Sequence, residues 1–242
     1  MNRALEGLER RGWIRRYQGA DPDVTAIAPE LSRLSEHHAE IRAEVETLLE
    51  HREKLTRIQD LGGDYTDGGI HTVSWRAFLI KAGWLVEENC RLVPRTAELL
   101  RDIPGVYTAF FSILEPGQYI TPHFGYYKGF LRYHLGVVVP EGGYTERCWL
   151  RVNPDLEVAR ARDTSAIEGG SRYHWREGEA FLFDDVLLHD ASNESDEVRV
   201  ILWLDVRRPL PMPLDLLNRA GLWVAARTRM AEKVRQNGVV SL

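Results

Sequence analysis

The sequence predicts an α+β protein whose centre is mainly β, because its texture changes twice along 242 residues. Helical spacing fills the N-terminal part. From Val106 come β-branched and aromatic runs bounded by Gly, Pro, Asn and Asp, and helical spacing returns after Pro209. Several short strands at such intervals point to a sandwich or barrel.

Taken in order, residues 1–16 set Leu5, Leu8 and Trp13 against many Arg and Glu, and "GADPDV" at 19–24 ends that pattern. A single helix is expected from Pro29 to Leu55, where Leu31, Leu34, Ile41, Val45, Leu48 and Leu49 recur at helical steps. His37, His38 and His51 lie within it as solvated or partly buried side chains, since nothing else there converges on a metal. "DLGGDYTDGG" at 60–69 reads as a turn-rich linker. A short mixed region follows, with a helix around Pro94–Ile103. The strands are "VYTAFFSIL", "LRYHLGVVVP", "CWLRV", "EAFLFDD" and "EVRVILWLDV". The closing helix has apolar Leu214, Leu217, Leu222 and Val224 beside basic Arg219, Arg227, Arg229, Lys233 and Arg235. That pattern suits a solvated face or contact with a membrane surface or partner. The expected organisation is a helical extension (1–69) packing on a β core (70–210), with a C-terminal helix (211–242), in one structural domain.

Composition narrows the function. A hydrophobic fraction of 44% is enough for a full core, and a net charge of −5 argues against a dedicated nucleic-acid binder. Cys90 and Cys148 are too few for a disulfide framework and read as reduced thiols. No apolar run approaches the ~20 residues that span a bilayer, and the N-terminus is too charged for a signal peptide. The expected location is the cytoplasm.

Strand alternation singles out particular residues. Arg132 and His134 share one face of "LRYHLGVVV", opposite Leu131, Tyr133 and Leu135. Arg199 shares a face with Ile201 and Trp203. Cations on inner strand faces are costly unless an anion meets them. Two readings stand: internal salt bridges with core carboxylates, or a wall that binds a small dianion. His123 lies at the entrance to the core and His189 at the end of a strand, and both suit a metal of the Fe, Zn, Cu or Ni type. His71 and His174 read as structural or surface residues.

The motifs "FSILEPGQYITPHFG", "LRYHLGVVVPEGG", "WREGEAFLFDDVLLHDASN" and "RVILWLDVRRP" occur in order over roughly residues 70–210. In them the chain resembles the aspartyl/asparaginyl β-hydroxylase family of Fe(II)/2-oxoglutarate-dependent oxygenases. The resemblance implies a double-stranded β-helix, a cupin-like jelly roll, flanked by N-terminal helices and a C-terminal helix. It implies His123 and His189 as iron ligands, and Arg199 assisted by Ser112 on the distal carboxylate of 2-oxoglutarate. Arg132 and His134 would contact the inner carboxylate or nearby substrate. Dioxygen is the co-substrate.

Most non-heme iron oxygenases add a carboxylate to two histidines; here the residue two past His123 is Gly125. The family's animal peptide hydroxylases share that glycine, so a two-histidine site is implied, completed by water or another small ligand. Asp184 and Asp185 either supply hydrogen bonds around the metal or cap a turn. Hydroxylation of an amino-acid-like small molecule, carrier-bound amino acid or peptide is expected. The alternatives are halogenation, with chloride at the open position, and a non-catalytic cupin-like binding module. "NPDLEVARARDTSAIEGGSR" exceeds its counterpart in the animal enzymes. It is expected to be a long loop without regular structure, with Arg160, Arg162 and Arg172 either meeting an acidic substrate or lying in solvent.

Overall fold

In the computed structural model, which describes residues 2–62, 74–140 and 145–242, the strands alternate between two facing antiparallel sheets. Four short N-terminal helices come first: α1 (Asn2–Arg10), α2 (Val24–Ile27), α3 (Ser32–Glu36) and α4 (His38–Leu49). Then follow β1 (Thr56–Arg57), β2 (Trp75–Ala82), β3 (Trp84–Leu85), α5 (Glu87–Cys90) and α6 (Pro94–Arg101). The core strands are β4 (Val106–Leu114), β5 (Gln118–His123), β6 (Phe130–Val138), β7 (Cys148–Asn153), β8 (Ser171–His174), β9 (Ala180–Phe183), β10 (Leu188–Asn193) and β11 (Arg199–Arg207). Helix α7 (Leu156–Ala161) lies between β7 and β8, and α8 (Leu214–Ala225) and α9 (Arg229–Asn237) close the chain.

Among the described residues the larger sheet runs β1-β2-β4-β11-β6-β9, with β3 on β2, and the smaller runs β5-β10-β7-β8. Strands β4 to β11 thus cross repeatedly from one sheet to the other, which is the winding of a jelly roll. The linker from residue 63 onward and His71 lie outside the described residues, as does the end of "LRYHLGVVVPEGG".

The larger sheet is buried on both faces, and its two faces carry different chemistry. Leu131, Tyr133 and Leu135 of β6, with Val200, Leu202 and Leu204 of β11, pack on Leu31, Leu34, Ile41 and Val45 of the helices. The alternate residues of both strands face the smaller sheet, where Ile201 and Trp203 join one apolar cluster with Leu150, Val152 and Ala191. Alternation with period two therefore delivers Arg132, His134 and Arg199 into the space between the sheets.

Three expectations are corrected. The helix from Pro29 to Leu55 is broken at His37, whose backbone (φ −104°, ψ 23°) ends α3; α4 then stops at Leu49. The His38 ring turns to the carbonyl of Val137 on β6, 3.0 Å away, which fixes the redirected chain to the sheet. The closing helix is two helices, parted at Ala226–Thr228, where the Thr228 side chain caps α9 by accepting from the Ala231 N–H. The 153–172 segment has regular structure. Asp155 accepts from the Glu157 N–H to start α7, Asp163 accepts from the Ser165 N–H to start a 3₁₀ turn, and β8 pairs with β7.

One buried ionic cluster ties α1 to the sheet ends. Lys128 Nζ lies 2.7 Å from Asp184 Oδ2 and 3.0 Å from Glu9 Oε2, and Arg208 Nη2 lies 2.5 Å from the same Asp184 oxygen. All four side chains are about fully buried, and their charges cancel. Removing one member strands its partners in a dry environment. Lys128→Ala is therefore expected to cost roughly 3–5 kcal/mol of stability, read as a drop in the urea midpoint.

Candidate functional site

His123 ends β5 and His189 lies in β10. The antiparallel register sets them directly opposite one another, with ring centroids 4.1 Å apart. Each ring is fixed by its own loop: His123 Nδ1–H donates to the Thr121 carbonyl at 2.7 Å, and His189 Nδ1–H donates to the Leu187 carbonyl at 2.8 Å. Because a carbonyl only accepts, both Nδ1 atoms carry the proton and both Nε2 atoms keep a lone pair. Burial holds both imidazoles neutral, His189 down to about 3 and His123 well below its ordinary value. Two oriented, neutral imidazoles on adjacent strands are what a divalent transition metal requires.

Gly125 follows His123, and its N–H donates to the Asp185 carbonyl at 2.8 Å. A Cβ built on Gly125 would fall onto the carboxylate of Asp185. The place that the sequence leaves without a side chain is thus filled in space by a residue four positions before His189. Asp185 Oδ1 lies 3.6 Å from His189 Nε2, too far for a hydrogen bond, and the carboxylate is held by Arg132. Among the described residues no three His, Cys, Asp or Glu groups gather as a metal would require, so the metal-binding candidates are the two histidines.

Arg132 resolves as the salt-bridge reading. It pairs with Asp185 and, at 3.2 Å, with Asp205 of β11, and its guanidinium stacks 3.8 Å from the centre of the Trp203 ring. Burial pushes Asp205 up to about 6, with Arg132 pulling the other way.

Arg199 is the opposite case. It is 1% exposed, and among the described residues no carboxylate pairs with it. Its Nε and Nη1 have no hydrogen-bond partner, and it lies 4.5 Å from the centre of the Trp175 ring. Burial alone lowers it to about 10. An uncompensated buried guanidinium is costly unless an anion shares its cavity. That cavity is lined also by Ser112, His123, His134, Trp175 and His189. The Ser112 hydroxyl accepts from Trp75 Nε1–H at 2.9 Å, which leaves its own O–H free to turn to a ligand. His134, among Trp175, Phe181 and Phe183, has no partner on either ring nitrogen, and burial holds it neutral.

The structure thus brings together His123, His189, Ser112, Arg132, His134, Arg199, Gly125 and Asp185. Asp184 points away, into the cluster with Lys128 and Arg208. Arg160 pairs with Glu157 and Glu6, and Arg172 stacks on Trp149. Arg162, in a left-handed backbone conformation (φ 54°), lies over the ring of Phe124, next to Gly125. His174 is exposed in β8.

Sequence reasoning missed Asp205, Trp75 and Trp175. Asp205 was findable, since it follows Arg199, Ile201 and Trp203 in the same alternation; the two tryptophans carried no such signal. Also missed was a wider cavity of about 320 Å³, walled by Tyr107, Tyr127, Phe130 and Trp203 of the core and by Ala225 and Met230 of the closing helices. It meets the histidine cavity at Arg132 and Trp203.

The family model described as Aspartyl/Asparaginyl beta-hydroxylase matches residues 35–209. A Rhizobium tropici protein named ornithine lipid ester-linked acyl 2-hydroxylase is 35% identical, over 81% of this chain and 63% of its own length. The human aspartate beta-hydroxylase domain-containing protein 2 is 33% identical, over 54% of this chain and 32% of its own. The chain therefore spans less than two thirds of these relatives. Among solved structures, a non-heme alpha ketoglutarate dependent carbocyclase from nogalamycin biosynthesis superposes with a TM-score of 0.45 at 18% identity, covering 76% of this chain and 81% of that one.

Two outcomes follow from this geometry. Gly125→Ala is expected to destabilise the fold by roughly 1–3 kcal/mol through overpacking against Asp185, read by thermal denaturation. Acid should unfold the metal-free protein early. His123, His134 and His189 have depressed native values, so the unfolded chain takes up their protons first and stability falls as pH drops below about 6.5. His134→Phe should flatten that fall by up to about 1.4 kcal/mol per pH unit, measured as urea midpoints across pH.

Proposed function

Because the chain belongs to the aspartyl/asparaginyl β-hydroxylase family, we propose that it is an Fe(II)- and 2-oxoglutarate-dependent hydroxylase. The observation that carries the reading is Arg199, a buried guanidinium with unpaired donors in the same cavity as two neutral, oriented imidazoles. In this reading His123 and His189 hold Fe(II) through Nε2. Arg199 and the Ser112 hydroxyl take the far carboxylate of 2-oxoglutarate. His134 donates or accepts beside the inner carboxylate from a neutral ring. Asp185, aimed by Arg132, would offer an acceptor beside the two histidines, with burial raising its pKa and Arg132 pulling it the other way. Bound together, iron and 2-oxoglutarate supply the activation of dioxygen for C–H hydroxylation. The protein orients the substrate and excludes water with Phe183, Trp175 and Trp203.

The Asp185 carboxylate already fills the space beside Gly125, which favours hydroxylation over halogenation. The unpaired Arg199 donors beside two oriented imidazoles likewise favour an enzyme over an empty cupin-like module. For the substrate class, the sequence points to an amino-acid-like small molecule, carrier-bound amino acid or peptide, and the name of the Rhizobium tropici relative adds a lipid-linked substrate. The aromatic and aliphatic walls of the wider cavity favour a member with an apolar chain, in keeping with the acyl hydroxylation for which the Rhizobium tropici relative is named.

Anaerobic addition of Fe(II) and then 2-oxoglutarate is expected to give a visible charge-transfer band that His189→Ala abolishes. Arg199→Ala should weaken 2-oxoglutarate about thirtyfold or more, the loss expected when one partner of a buried charge pair is truncated. A folded protein that gives no band would overturn the proposal.

A further inference from the structure

Helix α8 is inside out. An amphipathic helix on a folded protein normally turns its apolar stripe to the core, yet of the twelve residues of α8 only Asn218 is buried. Asn218 anchors the helix through its amide: the Tyr127 hydroxyl donates to its Oδ1 at 2.6 Å, and its Nδ2 donates to the Gly129 carbonyl at 2.9 Å. Leu222 and Ala225 complete that inward stripe at helical spacing. The outward stripe holds Leu216, Leu217, Trp223 and Val224, which are 50%, 56%, 58% and 57% exposed. Met230, 58% exposed, extends the apolar surface past the end of α8. Large apolar residues gathered on one exposed face mark a contact surface.

The charge beside this face indicates the kind of surface it meets. The whole chain is acidic, at −5. From Leu216 to Ala231, however, it carries Arg219, Arg227 and Arg229 and no carboxylate. Arg207, Arg219 and Arg227 line a cleft of about 320 Å³ against α8, together with Trp84 and Trp223. The Arg227 guanidinium stacks 3.4 Å from the centre of the Trp223 ring and 4.9 Å from that of Trp84. Trp84 is itself 46% exposed. Leucines and a tryptophan projecting outward with arginines at their rim are the composition of a helix that lies in the plane of a bilayer, where the apolar face enters the acyl boundary and the cations meet lipid phosphates.

We propose that α8 and the arginine cleft beneath it form a docking surface for a bilayer containing anionic phospholipid. Leu216, Leu217, Trp223 and Val224 insert, while Arg219 and Arg227 engage headgroup phosphate. Met230, part of the exposed apolar surface, also lines the wider cavity, so docking by this face would bring that cavity close to the lipid surface. The proposal rests on surface chemistry alone and stands or falls apart from the catalytic reading.

The test is co-sedimentation of the full chain with vesicles of phosphatidylcholine, with and without phosphatidylglycerol, across salt concentration. The protein should sediment with the phosphatidylglycerol vesicles, less so at high salt. Leu217→Ser/Trp223→Ser and Arg219→Ala/Arg227→Ala should each lower the partition by on the order of tenfold or more. Those side chains are exposed, so circular dichroism and the Tm should not move. Wild-type protein that stays in the supernatant with both vesicles overturns the proposal. So does a dimer by analytical ultracentrifugation, without vesicles, that Leu217→Ser/Trp223→Ser converts to monomer, for then a second copy covers the face. Inorganic phosphate that binds the cleft, with sedimentation unaffected by Leu217→Ser/Trp223→Ser, would assign the arginines to a free anion and also overturn it.

Discussion

The cost of burying Arg199 without a counter-charge organises the interior of this jelly roll. A guanidinium between two sheets, with two unpaired donors, is unfavourable on its own. Nothing in β10 or β7 turns a carboxylate toward it. Two buried acids lie elsewhere on the same cavity, where Asp185 and Asp205 share Arg132, while Asp190 is paired with Arg151, and Asp184 and Glu9 with Lys128. The interior is therefore polarised: two carboxylates and one arginine near the mouth, one lone arginine at the base, and neutral His123, His134 and His189 between. In the proposed reading, a metal dication held by the imidazoles together with a dianion would suit that polarity.

Gly125 and Asp185 are one feature seen from two strands. In sequence, glycine two residues after a histidine suggests a missing ligand. In space the position is full, because the chain leading into β10 passes so close that Gly125 N–H bonds the Asp185 carbonyl and any Cβ would strike the Asp185 carboxylate. Packing alone therefore requires glycine here. The carboxylate comes from the second histidine's segment, where Arg132 fixes it.

Much of this was legible because strands carry a period. β4, β6, β7, β9 and β11 announced themselves through β-branched and aromatic runs, and alternation along β6 and β11 put Arg132, His134 and Arg199 on the inner face. β5 and β10 were not legible as strands. Both are short and polar, holding Thr121, His123, His189, Asp190, Ser192 and Asn193, and they are strands because the buried smaller sheet pairs them. Propensity gives way there to tertiary pairing. The break at His37 and the structure of residues 153–172 were hidden for a related reason. A bond from the His38 ring to Val137, and caps at Asp155 and Asp163, act one residue at a time and leave no periodic trace. The fate of a cation was equally local: Arg132 and Arg199 read alike in sequence, and only the partners across the sheet separate them.

The ends of the chain bear on the site through packing. Tyr127 and Phe130 wall the wider cavity, and between them Lys128 is clamped by Glu9 of α1 and Asp184. Asp184 is covalently next to Asp185, so the same buried cluster that anchors α1 also sets the segment that fills the space at Gly125. On the far side, Asn218 fastens α8 to Tyr127 and Gly129. The 124–130 loop is thus held from three directions: by α1, by the β9–β10 connection and by α8. Held in this way, the loop gives the wider cavity a fixed wall. It also explains how α8 can turn its leucines outward and still stay in place, since two amide hydrogen bonds to a buried loop hold it where an apolar face would otherwise be required.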